Sequence, residues 1–456
     1  MKDPEPPLLR TFVLGPRAED AAWGDKGGKN YLIPALDIIG FQFLLNQFNR
    51  QFAEEEDYNT DINSFNDNLH NGWVIDRDPF GVNQFGHPYQ GSIYHGFARS
   101  AGLNYWEALG YDFAGSALWE VAGETTRPSL NDQITTSFGG SFFGEALFRM
   151  ASYLLEQGGP SPAFWREFGA ALISPAMGFN RLAYGDRFNG IYPSREPAVY
   201  TQFGIGGRRN HKVDSIDDLN SVPRDEVVLD FAMEYGMPGK PGYEYNRPFD
   251  YFRFEAAALS SADALPEDIL VRGLLYGSDY QWGHSYQGVW GLYGTYEYIS
   301  PEVFSISSTA LAVGTTAQWR PSDTLAMQGT LLGGVGWAAV GTIADAVEDR
   351  TYHYGASPQA IASLRFLFSD VAAFELTGRG YYVGALGGVV TDESDKVLRG
   401  KAALTVRVYG HHALGLQYVA STRDAVFDDG PDSSQSIAAL SLFYTYIGDK
   451  RFGLVE

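Results

Sequence analysis

The chain contains no cysteine. That absence removes disulfides, thiolate metal sites and cysteine nucleophiles together. Basic residues are also scarce: 33 lysines and arginines stand against 55 aspartates and glutamates in 456 residues, a formal charge of −22. No clustered basic face interrupts the acid excess, so a phosphate backbone is repelled and nucleic acid is not an expected partner. No uninterrupted apolar run of about 18 residues occurs, which excludes an ordinary transmembrane helix. The first residues, Met-Lys-Asp-Pro-Glu-Pro-Pro, offer neither an apolar core nor a small-residue cleavage site, so any secretory signal is expected to have been removed.

What is present is unusual for a cytosolic enzyme. Charged residues make up only 19% of the chain, aromatics make up 15%, and glycine occurs 53 times. A membrane β-barrel accommodates this mixture, because segments of ~10 alternating apolar and polar residues vanish in a hydropathy average.

The character of the sequence changes near residue 190. Residues 1–30 read as an extended N-terminal segment, and 31–190 as a helical region, periplasmic or lipid-contacting. Residues 191–456 read as a transmembrane β-barrel. Helical periodicity runs through Tyr31–Phe52, Ser92–Glu124, Ser129–Gln157 and Pro162–Leu182. Thereafter period-2 alternation dominates. Leu440, Leu442, Tyr444 and Tyr446 point one way, and Ala439, Ser441, Phe443 and Thr445 the other. Twelve strands are expected near 198–207, 226–236, 249–260, 268–279, 286–299, 303–319, 324–338, 352–368, 371–384, 397–408, 412–422 and 436–446. The fold class is therefore mainly β with an α-helical N-terminal region, an antiparallel transmembrane barrel of about twelve strands.

The polar faces of these strands carry both signs. Asp230, Glu234, Arg253, Glu255, Arg272, Arg365, Glu375, Arg379 and Arg407 are assigned to the barrel lumen, where opposite charges satisfy one another. A soluble β-sandwich also alternates, but its strands are usually ~5 to 6 residues long. These segments are longer, and their outer faces gather Tyr and Phe toward the strand ends as an aromatic girdle does. Late connections alternate in length. Long acidic ones pass through Asp345 and Glu348, through Asp392, Glu393 and Asp395, and through Asp428, Asp429 and Gly430; short turns fall at Ser369-Asp370 and Gly410-His411. Outer-membrane barrels have long external loops and short periplasmic turns, so both barrel ends are expected in the periplasm. The short Ser300-Pro301-Glu302 turn breaks this parity.

The densest polar constellation precedes the barrel. It comprises Asn83, His87, Tyr89, His95 and Arg99, joined downstream by Glu120, Glu145 and Arg149, with Glu124 and Asp132 nearby. Pro88 suits a first helical turn, which puts His95 and Arg99 one turn apart on one face, as are Glu145 and Arg149. A functional reading makes His87 or His95 a general base oriented by a carboxylate. A structural reading makes the group a set of paired clamps between glycine-rich helices. The spacing Gly140-Ser-Phe-Phe-Gly144 suits close helix contact. No Gly-x-Ser-x-Gly elbow, Walker A loop or His-Glu-x-x-His helix is present. The run Glu54-Glu55-Glu56-Asp57 lacks the ligand spacing of a calcium loop, and His411-His412 occupies a turn. No catalytic residue, metal site or cofactor is expected; bound phospholipid or lipopolysaccharide is the remaining option.

The stretch Trp73-Val-Ile-Asp76-Arg-Asp78-Pro-Phe80-Gly-Val-Asn83 is followed by His87-Pro88-Tyr89-x-Gly91, Tyr94, Ala98-Arg99, Trp119-Glu120 and Gly144-Glu145-x-x-x-Arg149. Over roughly residues 70 to 185 this series resembles the Gram-negative family called domain of unknown function 3943. The resemblance implies an outer-membrane protein with a helical region joined to a barrel, and no particular activity. In architecture the chain is also similar to the porin-like proteins of predatory bacteria, which implies ring-shaped oligomers enclosing lipid. One departure is the C-terminus, where ten residues follow Tyr446 instead of the chain ending on an aromatic.

These readings converge on a non-enzymatic protein of the bacterial outer membrane, a homo-oligomer whose helices bind, trap or organise lipid. A porin or transport channel is the first alternative. A lipid-modifying enzyme using His87 or His95 with Glu120 or Glu145 is the second.

Overall fold

The computed structural model describes residues 8–9, 28–52, 56–159, 162–214, 225–260, 266–301, 303–342, 351–385, 394–426 and 432–455. Glu54, Glu55, Glu302, Asp345, Glu348, Asp392, Glu393, Asp428, Asp429, Gly430 and most of 1–30 lie outside the described residues. By internal contacts the chain divides into two units, Gly15–Arg195 and Glu196–Glu456 with Met1–Leu14.

The larger unit is a closed antiparallel barrel. Its strands are β1 (Val199–Asp214), β2 (Asp225–Tyr235), β3 (Phe252–Leu259), β4 (Asp268–Trp282), β5 (Tyr286–Ile299) and β6 (Phe304–Trp319). They continue as β7 (Leu325–Thr342), β8 (Tyr352–Phe368), β9 (Ala372–Ala385), β10 (Ser394–Tyr409), β11 (His412–Val426) and β12 (Ser433–Ile447). Each pairs with its neighbours in sequence, and β12 pairs with β1, so the meander closes on itself without a free edge. Beyond Gly273, opposite which the short β3 begins, Leu8 and Leu9 pair with Gln281 and Tyr280 of β4.

Alternation decides which side chains meet lipid. On β12, Leu440, Leu442, Tyr444 and Tyr446 are between 46% and 62% exposed, while Ser441, Phe443 and Thr445 are between 1% and 5%. The same outward rows carry Val313, Leu331, Val335, Leu376 and Leu398. Exposed Trp282, Trp319, Phe368 and Tyr409 stand at the last strand turns on one rim, the rim of the short connections after β4, β6, β8 and β10. An apolar belt ending in an aromatic ring on a closed barrel is the exterior of an outer-membrane protein, and that is where this chain belongs. The Ser300–Val303 connection is short although it falls on the loop rim, and it leaves the strand count at twelve.

The smaller unit is helical. It contains α1 (Leu32–Phe52), α2 (Ile62–His70), α3 (His87–Ser100), α4 (Tyr105–Ala122), α5 (Leu130–Ile134), α6 (Gly140–Glu156), α7 (Phe164–Ile173) and α8 (Pro175–Tyr184). Wide π turns at Val82–Gly86 and Thr135–Gly139 lead into α3 and α6. The long apolar stretches break at identifiable residues: Gly102, at φ +90°, separates α3 from α4, and Pro175 begins α8. Helices α3 and α6 approach closely at glycines. A Cβ on Gly91 would lie 1.9 Å from the Thr136 carbonyl oxygen, and one on Gly140 would lie 2.6 Å from Gly91 Cα. Among the described residues no helix is long and apolar enough to cross a membrane.

Candidate functional site

The barrel interior holds the first group of candidate residues. Register places Glu234 opposite Arg253 and Glu375 opposite Arg365. Arg253 reaches Glu255 at 2.6 Å, Glu375 at 2.5 Å and Glu234 at 3.7 Å, and Arg365 reaches Glu234 at 3.0 Å. Register also sets Arg379 against Arg399, a like-charge pair that would repel. Asp268 resolves it by accepting from both, at 3.3 Å and 2.7 Å. Arg379 further meets Glu297 at 3.5 Å, and Lys401 reaches Glu255 at 2.7 Å. Arg272 is buried and donates to the Thr330 hydroxyl at 3.4 Å. Asp230 lines a cavity of about 30 Å³ beside Glu255, Asp268, Arg399 and Lys401. That space suits water and little else. Arg407 stands apart: it binds Asp370 in the β8–β9 turn, which places it at the rim and outside the central lattice.

Among the described residues, apolar clusters also stand toward both ends of the barrel. At the loop rim, Ile299, Phe304, Ile306, Ala338, Val340, Tyr381, Val383, Val397 and Ile437 form a buried apolar cluster. Toward the short-turn rim, the connection between β2 and β3 packs Tyr245 and Tyr251 against Leu274, Val289, Tyr293, Ala312 and Leu332. The tail after β12 turns back at Phe452 and Gly453, both at positive φ. Phe452 is buried, and the carbonyls of Gly453 and Val455 accept from Gln328 and Gln318 at 3.0 Å and 2.7 Å. Of the tail, Ile447, Phe452, Gly453 and Val455 are thus built into the barrel interior, while Gly448, Lys450 and Arg451 are exposed.

The helical unit holds the second group, and the structure divides it into two clusters. In the first, α3 presents His95 and Arg99, α4 presents Asp112, and α6 presents Glu145 and Arg149. His95 Nδ1 lies 2.7 Å from Asp112 Oδ2, and Nε2 lies 3.1 Å from Glu145 Oε2. Arg99 Nε and Arg149 Nε donate to Glu145 at 2.7 Å and 2.8 Å. Arg99 also lies over the rings of Phe148 and Tyr192, at 4.7 Å and 4.9 Å. His95, Asp112 and Glu145 are each 0% exposed.

Electrostatics follow from that enclosure. Burial raises the Glu145 carboxyl, but Arg99, His95 and Arg149 outweigh it and hold the group well below the usual carboxylate range. Burial opposes charge on His95, and Asp112 and Glu145 together still raise it above an ordinary histidine. An imidazolium donates from both nitrogens, which suits a ring held between two carboxylates. Burial pushes Asp112 up to about 6, with His95 pulling against it.

The second cluster contains Asn83, His87 and Glu120. Asp76 Oδ1 accepts from the Asn83 and Asn131 amides at 2.7 Å each, and Asp132 accepts from Asn131 at 3.0 Å. Glu120 accepts the Ser129 backbone N–H at 2.8 Å, and Glu124 accepts the Trp119 indole at 2.8 Å. His87 lies 3.8 Å from Asp132. Burial, aided by neighbouring acids, holds Glu120 and Asp132 well above the usual range and brings Glu124 to about 7. Burial lowers His87 to about 4 against the pull of Asp76, so the ring is neutral at pH 7. Tyr89 joins neither cluster; it is partly exposed and packs near Phe85 and Phe143.

Sequence reasoning missed Asp112. It is one of two acids that α4 buries, the other being Glu120, and its place between Tyr111 and Phe113 in so apolar a helix is the signal that could have found it. In the first cluster both imidazole nitrogens are engaged by carboxylates. Among the described residues, no group of three or more His, Asp or Glu side chains is arranged to hold a metal ion. Chemically the cluster can bind α3, α4 and α6 into one body.

Residues 72–176 match the family model described as "Domain of unknown function (DUF3943)", the family read from the Trp73–Asn83 series and its downstream motifs. No curated protein matches the chain. Among solved structures, similarity is found to the NanC porin, at 9% identity and a TM-score of 0.28, covering 53% of this chain and 98% of that one. It is also found to the outer membrane channel DcaP of Acinetobacter baumannii, at 11% identity and a TM-score of 0.24, covering 54% and 96%. The toluene transporter TodX of P. putida matches at 8% identity and a TM-score of 0.22, covering 56% and 91%.

Proposed function

We propose, from a chain that joins a DUF3943 match to a closed outer-membrane barrel, a non-conducting and non-enzymatic protein whose helical unit binds and organises membrane lipid as a homo-oligomer. The observation that carries this reading is the inversion of α1. Its buried face holds three polar side chains beside Pro34 and Ile38: Asp37 accepts from Tyr184 at 2.6 Å, Gln42 donates to the Gly115 carbonyl at 2.6 Å, and Asn46 donates to the Gly123 carbonyl at 2.8 Å. Its exposed face is Leu32, Leu36, Ile39, Phe43, Leu44, Phe48 and Phe52. In water such a helix would bury the opposite face. A surface this apolar over a core of paired charges suits a lipid environment. At 21 residues, α1 extends about 31 Å at 1.5 Å per residue, enough to line an acyl layer along much of its depth.

The side chains that occupy the lumen support the non-conducting part of the reading, against the porin alternative. The engaged nitrogens of His95 favour the clamp over the lipid-modifying enzyme. Planar-bilayer recording tests the closed barrel: the full chain is expected to give no stable single-channel steps, and a large, steady conductance would overturn it. Variants His87→Ala and His95→Ala that stay folded yet lose a lipid-processing activity would overturn the non-enzymatic part.

A further inference from the structure

The hairpin of α7 and α8 carries a second exposed apolar surface, different in kind from that of α1. Phe164 is 69% exposed, Trp165 75% and Leu182 87%, with Phe168, Leu172 and Phe179 also exposed. The three leading rings form a ridge: Phe164 stacks on Phe168 at 6.2 Å, and Trp165 meets Phe164 edge-on at 5.1 Å. The exposed face of α1 carries a single charge, Arg50 in its last turn, whereas this hairpin is set among arginines. Over residues 162–195, Arg166, Arg181, Arg187 and Arg195 stand against Glu167 and Asp186, a positive balance in a chain whose total is −22. Glu167 is taken by Arg181 at 2.6 Å. Arg187 is exposed, and its guanidinium lies 5.9 Å from the Phe188 ring.

An amphipathic element with Trp, Phe and Leu on one side and arginines around them lies in a membrane interface, and it prefers anionic lipid because each basic group near the surface adds attraction. We infer that the α7–α8 hairpin is an interfacial anchor for an anionic phospholipid leaflet: Phe164, Trp165, Phe168 and Leu182 enter the acyl boundary, and the exposed Arg187 and the half-buried Arg166, which keeps one N–H on the Leu154 carbonyl at 3.1 Å, meet the phosphates. This rests on the lipid reading above and adds to it the chemistry of the headgroup and the element that contacts it.

Because the chain has no cysteine, a single introduced one can report its surroundings. The full chain bearing Trp165→Cys or Phe43→Cys, each with a polarity-sensitive label, would be reconstituted in phosphatidylcholine vesicles with and without phosphatidylglycerol. Quenching by nitroxide lipids would be measured in both. At position 165, quenching is expected to rise several-fold with phosphatidylglycerol, to fall with added salt, and to lose that dependence when Arg166→Gln and Arg187→Gln are introduced. A label at 165 that stays in water while the label at 43 is quenched overturns the anchor and leaves the lipid reading standing. Quenching at 165 that ignores both phosphatidylglycerol and the arginine changes overturns the headgroup assignment. Protection of 165 that depends on protein density and ignores lipid identifies a contact between copies and also overturns the proposal. Labels at both positions in water remove the lipid reading itself.

Discussion

Glu145 accepts from two guanidiniums and stands against an imidazole, all without access to water. Removing one partner of such a group leaves uncompensated buried charge, a loss of about 3–5 kcal/mol. Glu145→Gln is therefore expected to loosen the helical unit by about that amount, seen as faster proteolysis within residues 28–195, while the barrel keeps its heat-resistant mobility on gels. Unchanged proteolysis would show that the cluster is not a clamp. The pH dependence has a definite sign. Asp112 at about 6 and Glu124 at about 7 sit above an unfolded value of roughly 4, so the folded unit holds protons the unfolded chain has released. His95 is also raised, and its contribution is lost as pH climbs through its folded value. The unit is thus expected to lose stability from about pH 4 to pH 7 and beyond. Two groups act oppositely. Glu145 loses its contribution only as pH falls below the usual carboxylate range, and His87, lowered to about 4, favours the folded unit as pH rises toward 6.5. The raised Asp112, Glu120, Glu124 and Asp132 together outweigh that one imidazole. Proteolysis rates across pH 4.5–8 check this, with Asp112→Asn and Glu124→Gln each flattening the slope; a rate that falls as pH rises would contradict it.

At the scale of elements, the close approach of α3 to α6 depends on glycine. A methyl on Gly91 would collide with the Thr136 carbonyl, whereas Gly110 on the exposed side of α4 has nothing within 4 Å. Gly91→Ala is expected to disrupt the unit, and Gly110→Ala to stabilise it by up to about 1 kcal/mol through helix propensity. Thermal melts followed by circular dichroism separate the two. On the barrel, Val335 is exposed in the middle of β7, and Val335→Arg is expected to cost about 2–4 kcal/mol of folding free energy in bilayers, read by urea titration. Strands were the most legible elements because period-2 alternation is local: one face of β12 could be read from Leu440, Leu442, Tyr444 and Tyr446 before any contact was known. The inversion of α1 was not legible. Its apolar residues outnumber its polar ones, and only the partners of Asp37, Gln42 and Asn46 show which face is buried. The polar constellation reads as one group because the sequence does not show which faces of α3, α4 and α6 pack together. The fold separates His95 from His87 by two helical turns and gives each its own acids. Arg407 has the alternation of a lumen residue, but its height at the strand end sends it to Asp370.

For the whole molecule, charge is the organising quantity. Arginines and acids that would be costly in lipid face inward and pair in the barrel lattice, and others do so in the helical core, leaving apolar side chains on both exteriors. Among the described residues, side chains occupy the lumen at three levels: the apolar cluster at the loop rim, the central lattice, and the packed tyrosines with the returning tail. The most direct test is mass spectrometry of the full chain purified in mild detergent, which reads copy number and retained lipid in one spectrum. The account predicts a complex of more than one copy carrying phospholipid that resists detergent exchange; a lipid-free monomer would contradict it.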